Sequence, residues 1–360
     1  MNMNAYPSRA PGGRSSDAPV CAIIAAKDAQ ATIARAIRSA LAEPEVGEVV
    51  MVDDGSHDDT AAIAKEAGRG DGRLTIVRLE SNFGPAAARN AALERSAAPF
   101  IAVLDADDVF LPGRFAALLA KPGDWDAVAD NVVFVSEREA GTMSLPGAFA
   151  WSSRDVTLSL EKFVLGNIAR HGKPRGELGF LKPLITRRFL EDHSLRYDES
   201  LRLGEDFELY VRMLLCGARF KLSGVCGYLA AERAGSLSAS HRAKDLEALM
   251  RADDVLLART LLPDHRAALQ RHRAHVAARW HHRVLLASRH DVGIVGALSE
   301  AARHPRYLID GLSGVLRDKA AKFLSQGPRD GCDTPRFLVS PGSESESALL
   351  DRLGHTAGRT

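Results

Sequence analysis

Between residue 18 and about residue 135, short apolar runs alternate with helical patterns at a regular beat. Residues 20–25, 48–52, 74–79 and 100–104 read as strands. Helical spacing covers 29–42 and 58–68, and an Ala-rich helix starts at Pro85, where a missing N–H costs nothing. Strands separated by helices of about 10–15 residues are βαβ units, which build a parallel sheet covered on both faces. The expected fold class is α/β: a Rossmann-like, mostly parallel sheet with helices on both faces.

Further along, the pattern loosens. Helices are expected over 158–168 and 206–216, and strands over 180–185 and 220–229. Together these read as the second half of the same domain, with mixed strands. Residues 243–290 read as helix almost throughout, with one or two shorter helices in 297–325. The expected organisation is a disordered leader (1–17), an α/β domain (18–245) in two halves (18–135 and 136–245), a basic helical extension (246–325) and a disordered tail (326–360).

Composition narrows the class. Lys and Arg number 47 against 46 Asp and Glu, a net charge of +1, so the basic excess of a chain that binds nucleic acid through global charge is absent. No apolar run reaches the roughly 18 residues that a membrane span needs. Cys21, Cys216, Cys226 and Cys332 form no CxxC pair, and the first residues lack the apolar core of a signal peptide. A reducing, cytoplasmic setting is expected.

The informative feature is where acids fall relative to the strands. Asp28 lies just beyond the first, Asp53 and Asp54 end the second, and Asp105, Asp107 and Asp108 end the fourth. In a parallel sheet, strand ends of one sense share an edge, and ligands bind outside the carboxyl ends. The acids therefore converge on one rim. Capping of the following helix accounts for a single Asp, as at Asp58, but one helix needs only one cap. Converging carboxylates call for a cation, and Mg²⁺ or Mn²⁺ shared with phosphate oxygens suits them. The first strand runs into Ala-Ala-Lys-Asp-Ala rather than GxGxxG, and no GxxxxGK[ST] loop is present. A nucleotide is then expected to be held by base and ribose through Asp28 and Asp54, with its diphosphate on the metal.

Five segments carry a resemblance: the turn at 23–28, Val-Asp-Asp-Gly-Ser at 52–56, Asn82-Phe83-Gly84 followed by Ala88-Arg89-Asn90, Asp105-Ala106-Asp107-Asp108, and Gly204-Glu205-Asp206. In this order the chain resembles the family 2 glycosyltransferases, inverting enzymes of the GT-A fold that use nucleotide sugars, over about residues 18–240. Longer wording at 40–46, 179–184 and 202–206 resembles the glucosyltransferases of bacterial succinoglycan-type exopolysaccharide synthesis. That resemblance implies UDP-glucose as donor, a lipid-linked oligosaccharide as acceptor and a β-linked product, with 18–135 binding the nucleotide sugar and 136–245 the acceptor.

The resemblance also implies roles. Asp107 is the expected direct metal ligand, with Asp105 and Asp108 orienting the metal, its waters or the ribose, and Asp105 a second candidate ligand. Asp54, with Asp53, would accept from uracil or ribose, and Ala26 and Asp28 would line the base pocket. Asn82 and Asn90 belong to the donor-binding set through their motif. Asp206, opening a helix whose dipole favours an anion, is the expected general base, supported by Glu205; both also fit as ordinary first-turn acids. Residues 233–238, with Arg233 and Ser236, resemble the family's mobile loop over the diphosphate, and equally a surface turn. Arg89 reads either as a partner of the acids or as a helix-surface charge. Lys27 replaces the family's usual aromatic, so its stem is expected on the base with its ammonium solvated.

Residues 259–290 hold seven Arg and six His against one acid, Asp264. His272, His275, His281 and His282 lack the i,i+4 pairing of a zinc helix, so a solvated basic face is expected. Such a stretch suits anionic lipid or a protein partner. Among rival functions, a glycoside hydrolase leaves the strand-end acids unexplained. A nucleotidyltransferase should carry a Gly-rich basic loop after its first strand, and a non-enzymatic binding module does not account for Asp107 together with Asp206.

Overall fold

The computed structural model describes residues 18–339 apart from 122, 143–146, 153, 169–175, 233–241, 261, 303–304 and 325–334. The amino-terminal half runs β1 (Val20–Ala26), α1 (Ile33–Leu41), β2 (Val46–Asp53), α2 (Thr60–Ala67), β3 (Leu74–Arg78), α3 (Pro85–Arg95) and β4 (Phe100–Val103). Then follow β5 (Val109–Phe110), α4 (Arg114–Leu119), β6 (Ala127–Ser136), α5 (Glu137–Thr142), β7 (Phe149–Ala150), β8 (Val156–Leu158), α6 (Leu160–Leu165), a 3₁₀ turn (Leu178–Phe180), β9 (Leu184–Thr186), α7 (Arg187–Asp192), α8 (Glu205–Leu215) and β10 (Phe220–Glu232). The carboxyl-terminal part holds α9 (Ala243–Arg259), α10 (Pro263–Ala302), α11 (Pro305–Leu324) and β11 (Arg336–Phe337).

One sheet organises the molecule, in the order β3-β2-β1-β4-β9-β6-β10-β5. Strands β1 to β4 are mutually parallel, and β6 pairs parallel with β10. The first five residues of β1, Val-Cys-Ala-Ile-Ile, are fully buried, as expected of a strand covered on both faces. Helix α1 buries Ile33, Ala36, Ile37 and Ala40, the i, i+3, i+4, i+7 stripe of a helix packed on one side.

Strand β9 departs from expectation. The strand expected over 180–185 begins only at Leu184, because Pro183 has no N–H to give a ladder. It lies antiparallel between β4 and β6, with Leu184 opposite Ala102. Its first residues therefore stand beside the last residues of β4, on the rim where the acids collect. Because β9 is short, the edge of β6 is left open beyond Val128. Strand β11 covers it, with Phe337 opposite Val133, while the Asn131 side chain holds both backbone groups of Val339. Residues 335–339, inside the tail expected to be disordered, are thus ordered. Exposed ladder groups seek a partner, and this segment supplies one.

The histidine-rich stretch also differs from the solvated face expected of it. His272 is buried with its Nδ1 2.9 Å from an Asp253 oxygen, and His281 Nδ1 lies 2.8 Å from Asp310. Helices α9 and α11 pack on α10 and cover these positions. Among the described residues, no helix is long and apolar enough to cross a membrane.

Burial pushes the Cys21 thiol up to about 12 and Cys226 well above its ordinary value, while Cys216 is exposed. Thiolates are the reacting species. Maleimide labelling at pH 7.5, followed by peptide mapping, should modify Cys216 in the native protein and reach Cys21 and Cys226 only after unfolding. Native labelling of Cys21 would contradict this packing.

Candidate active site

The rim is built from turns that hold one another. Both oxygens of buried Asp54 accept backbone N–H groups, from Phe83 at 2.7 Å and Gly84 at 2.9 Å. Asp53 accepts the N–H of Ser56 at 2.9 Å and faces Arg78 at 3.3 Å. Gly55 has φ +66, and a Cβ there would sit 2.7 Å from the Ser81 carbonyl carbon, so this turn takes only glycine. The two acids expected to touch base or ribose thus fix the turns before α2 and α3. Asp58 accepts the N–H groups of Gln30 and Thr60, tying the starts of α1 and α2 together.

Ala26 is buried, and its carbonyl accepts the N–H of Asp54. Asp28 has φ 48 and a half-exposed side chain, which suits a group facing a ligand. The His57 backbone N–H, with Lys27 beside it, holds the Asp28 carboxyl below its usual range. The expectation for Lys27 is corrected. Its ammonium is folded back onto the Gly55 carbonyl at 2.8 Å and Asp28 at 3.0 Å, because these oxygens outcompete water at that turn.

The third acidic turn meets a buried charge cluster. Arg89, on α3, is 4% exposed and donates to Asp105 at 2.8 Å, Glu205 at 2.7 Å and Asp206 at 3.0 Å. Of its two readings, the structure selects the partner of the acids. Opposite it, Lys182 lies 2.9 Å from the other Asp105 oxygen and 2.8 Å from the other Asp206 oxygen. Two cations therefore each bridge the acid after β4 to the acid opening α8. Burial alone would raise the Asp105 carboxyl, but Lys182 and Arg89 bring it down to about 2. Burial alone would lower the Lys182 ammonium, yet Asp105 and Asp206 hold it above its ordinary value. Burial raises Glu205, with the Asp206 charge adding to the effect and Arg89 opposing it.

Further groups hold this cluster in place. Asp108 accepts from the Tyr228 hydroxyl at 2.7 Å and from the Ala231 N–H at 3.0 Å, and the same hydroxyl accepts the Asp105 N–H. Burial, and then the charges of Asp107 and Asp105, push the Asp108 carboxyl well above its usual range. The Asp107 carbonyl accepts from Arg35 at 2.7 Å. Fully buried Arg114 pairs with Asp130 and donates to the Lys182 carbonyl at 2.5 Å, fixing that backbone. Asn90 binds both backbone groups of Tyr197 and the carboxylate of Glu199, and Asn82 accepts from Arg202 at 2.6 Å, so both tie the chain entering α8 to α3. Arg233 and Ser236 lie outside the described residues. Lys182, Tyr228, Arg114 and Arg202 were not foreseen as site residues. Lys182 and Arg202 do fall in the 179–184 and 202–206 segments, whereas nothing local marks Tyr228 or Arg114.

The chain matches the family model for glycosyl transferase family 2 over residues 21–174. It is 49% identical to the succinoglycan biosynthesis protein ExoU of Rhizobium meliloti over 93% of this chain and 96% of that one. The chain belongs to glycosyltransferase family 2. It is a glycosyltransferase, and its recognition from five short segments is borne out, as is its fold class. Solved structures agree in fold at low identity. S. aureus TarS (residues 1–349, with UDP-GlcNAc) is 18% identical, with a TM-score of 0.54 over 83% of this chain and 81% of that one. The mannosyltransferase PcManGT of Pyrobaculum calidifontis, with GDP-Man and Mn²⁺, is 18% identical, with a TM-score of 0.50 over 93% and 86%.

Among the described residues, no group of three or more His, Cys, Asp or Glu could hold a metal by itself. Magnesium-type ions need no such cage, since one or two carboxylates and phosphate oxygens suffice. The donor chemistry fits: hard carboxylates gather in the turn after β4, where burial, and then the charges of Asp107 and Asp105, push Asp108 above its usual range.

Proposed function

We propose that this glycosyltransferase moves glucose from UDP-glucose, with inversion, onto a lipid-linked oligosaccharide during assembly of a succinoglycan-type exopolysaccharide. The observation that carries the reading is the double bridge from Asp105 to Asp206 through Arg89 and Lys182. It ties the donor-side acids to an acid at the start of α8. The likeness to ExoU supports the polymer, and the sequence resemblance supports the sugar.

Asp206 acts as the general base. Each of its oxygens has one cationic partner, and a carboxylate oxygen has a second lone pair to offer an acceptor hydroxyl. Its position at a helix start and its two cations fix its direction, so the proton leaves the hydroxyl as the new bond forms on the face opposite UDP. Asp107 holds Mg²⁺ or Mn²⁺. Asp105, the second candidate ligand, gives both oxygens to Arg89 and Lys182 in this structure and acts by keeping them placed. The cation, when bound, neutralises charge on the departing diphosphate. The half-exposed Asp28 contacts the nucleoside.

Incubation with Mn²⁺ and each nucleotide sugar should release nucleoside diphosphate from UDP-glucose above all others. Release from another donor alone would overturn the sugar assignment. Asp107→Ala should weaken Mn²⁺-dependent UDP binding at least about tenfold, the loss of a charged ligand costing more than about 1.4 kcal/mol. Unchanged binding would move the ligand elsewhere.

The carboxyl-terminal helices rest on the membrane at the inner face. Helix α11 exposes Ile309, Leu312 and Leu316 at i, i+3 and i+7, next to the basic stretch 259–290. An apolar stripe beside basic charge is the pattern of a helix lying in a lipid interface. Replacing all three by Ser should abolish flotation with phosphatidylglycerol vesicles at low salt while sparing transfer to a water-soluble acceptor. Undiminished flotation would refute the contact.

A further inference from the structure

Phe207 directly follows the proposed base, and its ring is gripped from two sides. Phe163 of α6 stacks on it with centroids 5.9 Å apart and planes at 15°, and the imidazole of His272, on α10, stacks with centroids 4.1 Å apart and planes at 23°. His272 is itself locked. It is 4% exposed, and its Nδ1 lies 2.9 and 3.1 Å from the two oxygens of Asp253, a fully buried residue of α9. A further contact, His265 to Glu161 at 2.9 Å, ties the start of α10 directly to α6.

We infer that His272, oriented by Asp253, is a positioning residue that sets where α8 presents Asp206. A buried His–Asp pair is an expensive way to fill an apolar contact, because every polar atom must be satisfied. What it adds over a leucine is direction. The hydrogen bond allows one ring orientation, and the stack transmits that orientation to Phe207 and so to the first turn of α8. The helical extension is on this view part of the catalytic apparatus as well as a surface element. The inference rests on Asp206 being the base.

The decisive comparison uses double variants that leave no buried acid unpaired. His272→Leu/Asp253→Leu removes the directional pair but keeps the volume filled. His272→Phe/Asp253→Leu restores a ring on Phe207. The leucine pair should lower kcat about tenfold, the scale of a sub-ångström misplacement of a reacting group, with the KM for donor unchanged. The phenylalanine variant, which has the ring but not the hydrogen bond that orients it, should recover only part of kcat. Should the leucine pair not fold, Phe207→Leu removes the stack from the other side and carries the same expectation. Wild-type kcat in the folded leucine pair or in Phe207→Leu, or full recovery by the phenylalanine ring without its hydrogen bond, would overturn the inference. Asp206→Asn keeps the two questions apart. If that variant transfers sugar normally, the base assignment fails; if it is inactive while the leucine pair is fully active, only the role of His272 fails.

Discussion

Asp206→Asn should reduce kcat by about 10³-fold, within the range assigned to a positioned proton acceptor, while UDP binding stays near wild type. The asparagine carbonyl can still accept from Arg89 Nη1, so α8 stays docked on α3. Its amide, however, places a donor against the Lys182 ammonium and has no lone pair for the acceptor proton. Glu205→Gln makes the comparison sharp. Glu205 is held by Arg89 and is not bridged to Asp105 through Lys182, so its loss should cost about tenfold or less. Steady-state transfer rates and UDP titration calorimetry measure both. Equal losses in the two variants would remove the distinction between base and support, and full activity in Asp206→Asn would end the assignment.

Arg89→Met should destabilise the fold by roughly 3–5 kcal/mol, the cost of leaving buried charge uncompensated. Asp105 and Asp206 would then share Lys182 alone and Glu205 would lose its ion pair, on a rim already rich in anionic oxygen. The pH dependence gives the sign. With Arg89 and Lys182 in place, the Asp105 carboxyl sits at about 2, below its unfolded value. Its stabilising contribution is fully present above about pH 4 and fades as pH falls toward 2. Without Arg89 the acids hold their protons more tightly, so the variant gains relative to wild type on acidification. Thermal melts should show the full gap in Tm at pH 7 and a narrower one near pH 3. A gap that stays constant over this window would mean that Arg89 contributes packing alone, through its contact with the Tyr197 ring.

Much of this fold is legible in the sequence. The parallel half was legible because strands buried on both faces are continuous apolar runs, and because Pro85 and the Gly-containing turns punctuate them. The acids at strand ends were legible as a group for the same reason, since parallel strands deliver their carboxyl ends to one edge. Individual roles were less so. Asp53 and Asp54 have the spacing of ligand-facing residues, yet they hold backbone N–H groups of their own turns. A carboxylate at a turn satisfies whichever donor lies nearest, and the identity of that donor depends on where the segments at 56 and 81–84 come to rest. The burial of His272 is not legible in the sequence because helical periodicity reports one helix's own face and says nothing of a second helix, α9, bringing Asp253 against it.

What the sequence determined by itself is the sheet, its direction and the edge on which the acids stand, all consequences of local periodicity and of the chirality of βαβ crossovers. What only the tertiary structure decided is the cation lattice between Asp105 and Asp206. Lys182 reaches it because the three-residue strand β9 runs against its neighbours, which brings the chain entering it, two residues before its start, rather than the chain leaving it, to that edge. A strand so short has no pattern of its own to declare its direction. The open edges of β4 and β6 impose one, and with it the placing of the charge on which the chemistry turns.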